Sequence, residues 1–192
     1  FNKGTLGGSE TSYSRLFRLS EGQIVYSKLF GWEGAVALVP SEFDGHFVSS
    51  ELPTFLPDPD RMVPGYLEEF LKSAQFTDEM ARSTNGLGQR RQRVNMDAFL
   101  RIAVPLPPVG QQDRIAAHLS RLGRSGPVML SHQGMMLEQM LARSTAGVPR
   151  QRLREVMRSS RQWLDIDVSE SYQPIGVRGF GRGMIRYPEM PA

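Results

Sequence analysis

Short apolar runs separated by turn-forming residues characterise the first 56 residues of the chain. Three of these runs are rich in β-prone residues: Ile24–Ser27, Ala35–Val39 and His46–Ser49. Asp44-Gly45, between the second and third runs, is a hairpin-type turn signal. The pattern predicts a β-rich N-terminal part made of short strands.

The apolar pattern changes to helical spacing after Pro57-Asp58-Pro59-Asp60. Pro64 suits the first position of a helix, and the apolar residues from Tyr66 to Ala74 form one helical stripe. The elements predicted to follow are a short helix near Thr77–Ser83, a helical turn begun by Asn95 and a strand over 101–104.

A proline-rich segment separates that strand from the next helical pattern. Pro105, Pro107 and Pro108 lack amide donors and favour extended geometry in the residues before them. Ile115 and Leu119 then fall on one apolar stripe. The elements predicted here are a helix over 111–122, a break at Gly123–Pro127 and a methionine-rich helix over 128–143.

Composition is typical of a globular protein, since 40% of the 192 residues are hydrophobic and 22% are charged. The absence of cysteine excludes disulfides and cysteine-ligated zinc, and the three widely separated histidines do not indicate a metal centre. No apolar run approaches the length of a membrane span and no signal peptide is visible, so we expect a cytoplasmic protein without a membrane partner. Because the chain starts at Phe1, we expect a fragment of a longer protein.

The main electrostatic candidate is a cluster in a glycine-containing loop, Arg90-Arg91-Gln92-Arg93. The net charge is only +3, but residues 82–93 hold four arginines and no carboxylate. Arginine forks bind phosphates or guanine edges, and glutamine pairs with adenine. We therefore predict that Arg90, Arg91, Gln92 and Arg93 bind DNA; the alternative is a solvated basic loop without a target.

Three further cations lie near predicted turns. Arg178 and Arg182 belong to a glycine-rich segment whose glycine spacing does not fit a dinucleotide-binding fingerprint. Lys28 follows a predicted strand. We add Arg178, Arg182 and Lys28 to the predicted DNA-binding residues, with a structural turn and a plain surface position as the respective alternatives.

Catalytic motifs are missing from the sequence. Asp58, Glu69 and Lys72 come near a nuclease pattern, but the separation of Glu69 and Lys72 is one residue too long, and an ion pair along a helix explains it. No methyltransferase motif, phosphate-binding loop or nucleophile elbow occurs. We predict that the chain is not an enzyme and that it has no catalytic or metal-binding residue.

Several segments together form a pattern that is more specific than any one of them. The segments are Gly8–Tyr13, Glu21–Leu29, Trp32–Ala35, Phe43–Gly45, Leu100–Leu119 and Gly176–Met184. In sequence and order they resemble the target-recognition domains and the spacer helix of specificity (S) subunits of type I restriction–modification enzymes. The chain departs from that family in having Gln111-Gln112 where Glu-Gln is usual, and in the Gly126-Pro127 break within the spacer.

The resemblance implies a mixed α/β fold with a β-rich target-recognition domain, short helices and a helical, coiled-coil-like pair. The implied parts are a recognition domain over 1–108 that lacks its N-terminus, a helical conserved spacer over 109–148, and the truncated start of a second recognition domain over 149–192. The implied function is that of a non-catalytic DNA-binding specificity subunit. Such a subunit directs partner methyltransferase (modification) and restriction subunits to a split target in double-stranded DNA. S-adenosylmethionine, ATP and Mg²⁺ are implied only for those partner subunits, and this chain is expected to bind no cofactor.

A surface for the methyltransferase subunit is predicted on the helix pair, at Ile115, Leu119 and Met136. Packing of these residues against one another within the chain is the alternative, which the turn-forming Gly126-Pro127 favours. A second functional interpretation also stays open. In it, the chain is a truncated remnant that acts only as a protein-interaction module, without sequence-specific DNA binding.

Overall fold

The computed structural model describes residues 6–84, 93–123, 130–160, 162–173, 175–179 and 183–186, and it shows a mixed α/β fold. Every described strand pair is antiparallel. The strands are β1 (Leu6–Gly7), β2 (Arg15–Arg18), β3 (Ile24–Tyr26), β4 (Val36–Leu38), β5 (Phe47–Val48), β6 (Thr54–Pro57), β7 (Ala103–Pro105), β8 (Arg150–Arg152), β9 (Met157–Ser159), β10 (Trp163–Asp165), β11 (Ser171–Tyr172), β12 (Ile175–Val177) and β13 (Met184–Arg186). The helices are α1 (Pro64–Leu71), α2 (Ala74–Arg82), α3 (Met96–Arg101), α4 (Val109–Gly123), α5 (Leu130–Ser144) and α6 (Leu153–Val156).

A four-stranded sheet in the order β4-β3-β6-β9 separates two hydrophobic cores. Strand β3 is buried on both faces: Ile24 and Tyr26 pack into the first core, and Val25 packs into the second. All six helices contribute to the first core. The second core is closed by Val48 of the sheet β10-β2-β5 and by Ile175 of the hairpin β12-β13. The central sheet therefore lies between a helical layer and a smaller β layer.

Three aromatic rings form the middle of the first core. The ring of Phe99 stacks on that of Tyr26 with 4.3 Å between centroids, and on that of Phe55 with 5.1 Å. Helix α3, which carries Phe99, begins where the sequence predicts, because the Asn95 side chain accepts a hydrogen bond from the Ala98 N–H at 2.8 Å. A short capped helix thus places a large ring against the central sheet.

The predicted helices are confirmed with small shifts of their ends. The turn signal at Asp44-Gly45 marks a turn with Gly45 at φ 77°, but the strands on either side do not form a hairpin. Strand β4 pairs with β3, and β5 pairs with β2, so the two strands on either side of this turn belong to different sheets. The physical reason is the 3-10 turn Ser41–Phe43, which puts the Phe43 ring into the second core and separates the two strands.

The strands after residue 149 add to sheets that the first part of the chain begins. Strand β8 pairs with β7, β9 with β6, β10 with β2 and β11 with β1. Leu153, Val156 and Met157 are buried in the first core, so this segment also gains apolar contact there. Within the described residues, the boundary predicted at residue 149 therefore does not separate two independent sets of strands.

Helices α4 and α5 form the predicted pair and run antiparallel. The Gln111 side chain, at the start of α4, donates to the Ser144 carbonyl at the end of α5, with 3.2 Å between donor and acceptor. Helix α4 also packs on α1, where Gly65 faces the Ala116 methyl group. The predicted break at Gly126-Pro127 lies outside the described residues.

Candidate nucleic-acid interface

The turn between β3 and β4, residues 27–34, has a backbone fixed by several hydrogen bonds. The N–H of Phe30 donates to Ser27 Oγ at 3.1 Å. The carbonyl of Phe30 accepts from the N–H groups of Glu33 at 3.0 Å and Ala35 at 3.1 Å. Both polar backbone groups of Phe30 are therefore satisfied within this β3–β4 turn, and its position is set by the strands on either side.

The β3–β4 turn rests on helix α2 and points two apolar side chains outward. A Cβ built on Gly31 would lie 2.8 Å from the terminal methyl group of Met80 in α2, which shows how closely the turn packs on this helix. The indole N–H of Trp32 donates to the Leu29 carbonyl at 2.9 Å, and its ring packs against the first core. Leu29 and Phe30 face outward and are 42% and 52% exposed.

Arg93 lies beside this turn because Val94 is bound to strand β3. The Val94 N–H donates to the Lys28 carbonyl at 3.0 Å, and its carbonyl accepts from the Tyr26 hydroxyl at 3.1 Å. Burial raises the pKa of Tyr26 above its ordinary value, and the negative charge of Asp97 raises it further, so the hydroxyl stays a donor. The structure thereby brings together two predicted DNA-binding residues, Lys28 and Arg93.

Glu51 supplies one carboxylate to this site, and Glu33 of the β3–β4 turn supplies a second. The backbone carbonyl of Glu51 accepts from the Lys28 N–H at 2.9 Å, and its carboxylate forms an ion pair with the Arg93 guanidinium. About half of the Arg93 side chain is exposed. Among the described residues, no carboxylate pairs with Lys28. Glu51 therefore partly neutralises Arg93, whereas Lys28 has no carboxylate partner in the described part of the chain.

The hairpin β12-β13 approaches the same turn from the C-terminal side. A methyl group on Gly179 would lie 3.2 Å from the Glu33 carbonyl oxygen and 3.4 Å from its Cβ, so this glycine lets the two backbones come close. Arg178 is exposed, and its N–H donates to the Gly183 carbonyl at 2.9 Å. Three segments that are distant in sequence thus meet at residues 28–33, 93–94 and 178–179.

Of the seven predicted DNA-binding residues, the structure places Lys28, Arg93 and Arg178 at this site. Arg90, Arg91, Gln92 and Arg182 lie outside the described residues. Leu29, Phe30 and Glu51 also lie at this site, and they were not predicted from the sequence. The signal for the first two was available: two large apolar residues stand directly before Gly31, beyond the end of the predicted strand.

An acidic groove lies on another part of the surface. Its lining includes the carboxylates Asp44, Asp165, Asp167 and Glu170, and its volume is about 620 Å³. The hydroxyl and amide of Ser169 hold the pKa of Asp167 below its ordinary value, so this carboxylate stays charged. Arg15 pairs with Asp165, and the three other carboxylates disfavour a phosphate at this groove.

The three predicted partner-binding residues fall into two groups. Ile115 is 6% exposed and Leu119 is 3% exposed, and both belong to the first core. Their burial agrees with the alternative of packing within the chain, and a partner would reach them only if helix α4 moved. Met136 of α5 is 56% exposed, and its neighbour Met135 is 55% exposed. In the described part of the helix pair, the exposed methionines therefore lie on α5.

The near-nuclease pattern forms an ion-pair network along helix α1. The Lys72 ammonium lies 2.8 Å from the Glu68 carboxylate and 3.4 Å from that of Glu69. Burial lowers the pKa of Lys72, but its hydrogen bond to Glu68 and the two negative charges outweigh this effect and raise the pKa overall. Within the described ranges, no group of three acidic, histidine or cysteine side chains is arranged to hold a metal ion, and no helix is long and apolar enough to cross a membrane.

Comparison with known proteins finds similarity to a solved structure. No family model and no curated protein matches the chain. The crystal structure of the HsdS subunit from Thermoanaerobacter tengcongensis is similar, with 22% sequence identity and a TM-score of 0.47. The similarity covers 55% of this chain and 27% of that subunit, so it concerns a part of each protein.

Proposed function

We propose that this chain binds double-stranded DNA as a non-catalytic specificity subunit of a type I restriction–modification system. The observation that carries the proposal is the meeting of segments 28–33, 93–94 and 178–179 at one exposed site. Segments 28–33 and 178–179 overlap motifs that resemble the specificity-subunit family. The three segments supply Lys28, Arg93 and Arg178, three cations on separately anchored backbones.

The chemistry of these side chains suits a polyanion. Lysine and arginine neutralise phosphates and release counterions, and arginine can also bind guanine edges. Glu51 pairs with the Arg93 guanidinium and so competes with phosphate for this cation. In this proposal, methyltransferase and restriction subunits are the partners of the chain, and they bind the S-adenosylmethionine, ATP and Mg²⁺. The chain itself selects the target, which is split between two half-sites.

The test is binding of the purified chain to fluorescent duplex DNA over a series of salt concentrations. We expect affinity to fall steeply with salt, and unlabelled duplex to compete better than single strands. Changing Arg90, Arg91 and Arg93 to alanine should flatten the log–log salt dependence by about 0.9 for each phosphate that is no longer neutralised. An absence of duplex binding, or an unchanged slope in a correctly folded triple variant, would contradict the proposed role of this loop.

A second candidate function is supported by the exposed methionines of α5. Met135 and Met136 are each more than half exposed, and methionine surfaces adapt to different partners. A remnant that binds only a methyltransferase subunit would use this face without needing the cationic site. Co-purification with that subunit, combined with undetectable DNA binding, would favour this second function over the first.

A further inference from the structure

An apolar pair lies among the cations of the candidate interface. Leu29 and Phe30 are 42% and 52% exposed, although both are large and apolar. Lys28 precedes the pair in sequence, and the bond from the Val94 N–H to the Lys28 carbonyl holds Arg93 close to it. Exposed apolar side chains ringed by polar groups are typical of binding sites rather than of inert surface.

The pair is held rigidly, which suits recognition. The backbone N–H and carbonyl of Phe30 are both hydrogen-bonded within the β3–β4 turn. Gly31 is in close contact with the Met80 side chain, and Trp32 fills the inner side of the turn. Phe30 is therefore presented outward on a fixed backbone, and its contact with a ligand orders few additional torsions.

Charge indicates which ligand this pair meets. Trp163 and Leu164 are also exposed and apolar, and Arg15 lies over the Trp163 ring and pairs with Asp165. Leu164 nevertheless lines a groove with three further carboxylates, Asp44, Asp167 and Glu170, which disfavour an anionic ligand there. Leu29 and Phe30 instead lie in the turn that carries Lys28, next to the segments of Arg93 and Arg178. Of the two carboxylates near this turn, Glu33 and Glu51, that of Glu51 is already paired with Arg93. Cations that bind the phosphates of a duplex bring the side chains between them towards the base edges.

We propose that Phe30, supported by Leu29, makes apolar contact with the bases of duplex DNA and determines part of the sequence preference. This inference rests on the proposed function and identifies Phe30 as a residue that contacts the bases when the chain binds DNA. Apolar side chains contact bases in two ways: against the methyl group of thymine in the major groove, or inserted at a base step in the minor groove. In both cases the contact carries no charge, so its removal leaves the number of neutralised phosphates unchanged.

The test uses duplexes that the unmodified chain selects from a pool with a randomised centre. Phe30→Ala should lower affinity for the selected duplex by about tenfold and weaken the preference at one or two base pairs, as the removal of a base-reading side chain does. The log–log salt slope should stay the same. Phe30→Leu should keep part of the preference. Val168→Ala, which removes a side chain that is 71% exposed beside the acidic groove, is the matched control and should change nothing.

Each other outcome has a defined meaning. An equal consensus and equal affinity for Phe30→Ala, with unchanged thermal unfolding, overturns the inference while the proposed function stands. A changed salt slope with an unchanged base preference also overturns it, because Phe30 then acts on the phosphate contacts through the turn. A failure of the unmodified chain to bind any duplex defeats the proposed function itself and is recognised before any variant is made. Replacing thymine by uracil at the affected positions distinguishes contact with the thymine methyl group from insertion at a base step. The replacement removes the methyl group and leaves insertion possible.

Discussion

The side chain of Gln112 accepts a hydrogen bond from the backbone N–H of Val63 at 2.8 Å. Its amide nitrogen donates to the carbonyls of Arg61 and Pro107, each at 2.8 Å, and the side chain is completely buried. One residue of α4 therefore joins the start of α1 to the proline segment. These three bonds use both N–H groups of the amide and one lone pair of its carbonyl oxygen.

Gln112→Leu should destabilise the chain strongly. The change leaves the Val63 N–H and two carbonyls without their partner, and each unsatisfied buried group costs about 1–3 kcal/mol. We expect a loss of roughly 3 kcal/mol in the free energy of unfolding, measured by urea denaturation. Gln111→Leu is the matched control, because that neighbouring amide makes a single bond, at 3.2 Å, to Ser144. Equal stability of the two variants would show that the three-bond arrangement contributes nothing.

Leu119→Ala should lower the stability of the isolated chain by about 2–5 kcal/mol, because it truncates a side chain that is buried between α4 and the first core. Met136→Ala should have little effect on thermal unfolding, since Met136 is 56% exposed. The same Met136 variant should co-purify less well with a methyltransferase subunit. Retention of full co-purification by a Met135→Ala, Met136→Ala double variant would remove α5 from the partner surface.

Glu51→Gln should strengthen DNA binding. The change releases the Arg93 guanidinium from its ion pair and removes a negative charge that repels phosphate. We expect tighter binding at low salt and a log–log salt slope steeper by up to about 0.9, the value for one additional phosphate contact. Glu170→Gln, in the acidic groove, removes the same charge elsewhere and serves as the control. If both variants bind equally more tightly, net charge explains the gain and Arg93 has no particular role.

The purified chain should neither methylate nor cut DNA when S-adenosylmethionine, ATP and Mg²⁺ are all supplied. Glu69 is engaged with Lys72 on helix α1, and the Asp58 carboxylate accepts a hydrogen bond from the Asp60 N–H at 3.1 Å. Both carboxylates therefore have local structural roles. Gel assays with supercoiled plasmid provide the measurement. Cleavage that survives repeated purification and disappears in Asp58→Ala or Glu69→Ala would refute the non-catalytic proposal.

Alkaline conditions should unfold the chain through two buried tyrosines. Burial raises the pKa of Tyr26 and Tyr66 above their ordinary value of 10.0; Asp97 adds to the shift at Tyr26, and Arg150 opposes it at Tyr66. Because the folded state holds these hydroxyls protonated above pH 10 and the unfolded state does not, folding is favoured fully below pH 10. The free energy of unfolding then falls as the pH rises above 10. Tyrosinate absorbance should therefore rise for these two residues only together with the loss of helical circular dichroism. Their ionisation in a chain that keeps its helices would contradict the burial argument.

Local signals in the sequence predicted most of the helices. Pro64 and Asn95 mark helix starts because a missing donor and a side-chain cap act within one turn, independently of the rest of the fold. Sheet partners could not be predicted in the same way. The run around Val48 pairs with β2 rather than with β4, and that choice depends on where Phe43 is buried. Strand pairing is thus decided by contacts between distant residues.

The candidate site shows the same division. Lys28, Arg93 and Arg178 were each predicted from residue type and nearby turns, but their proximity depends on Val94 binding to β3 and on Gly179 approaching Glu33. Neither contact leaves a pattern in the sequence, because each involves one residue from a distant segment. Phe30 was missed for a related reason: an apolar residue in a turn can be identified as exposed only once the surrounding core is known.

The late strands that complete the sheets have a consequence for how the chain folds. Phe55 pairs with Ser159, and Leu6 pairs with Tyr172, so the closing contacts join positions far apart in sequence. Pairing over such sequence separations makes folding slow, because the conformational entropy of the intervening loop is lost before the strand contacts lower the free energy. During synthesis, one edge of β2 and one edge of β6 stay unpaired until residues 157–165 have left the ribosome. Unpaired strand edges can pair with other chains, so this interval is the time at which the nascent chain is most prone to aggregate.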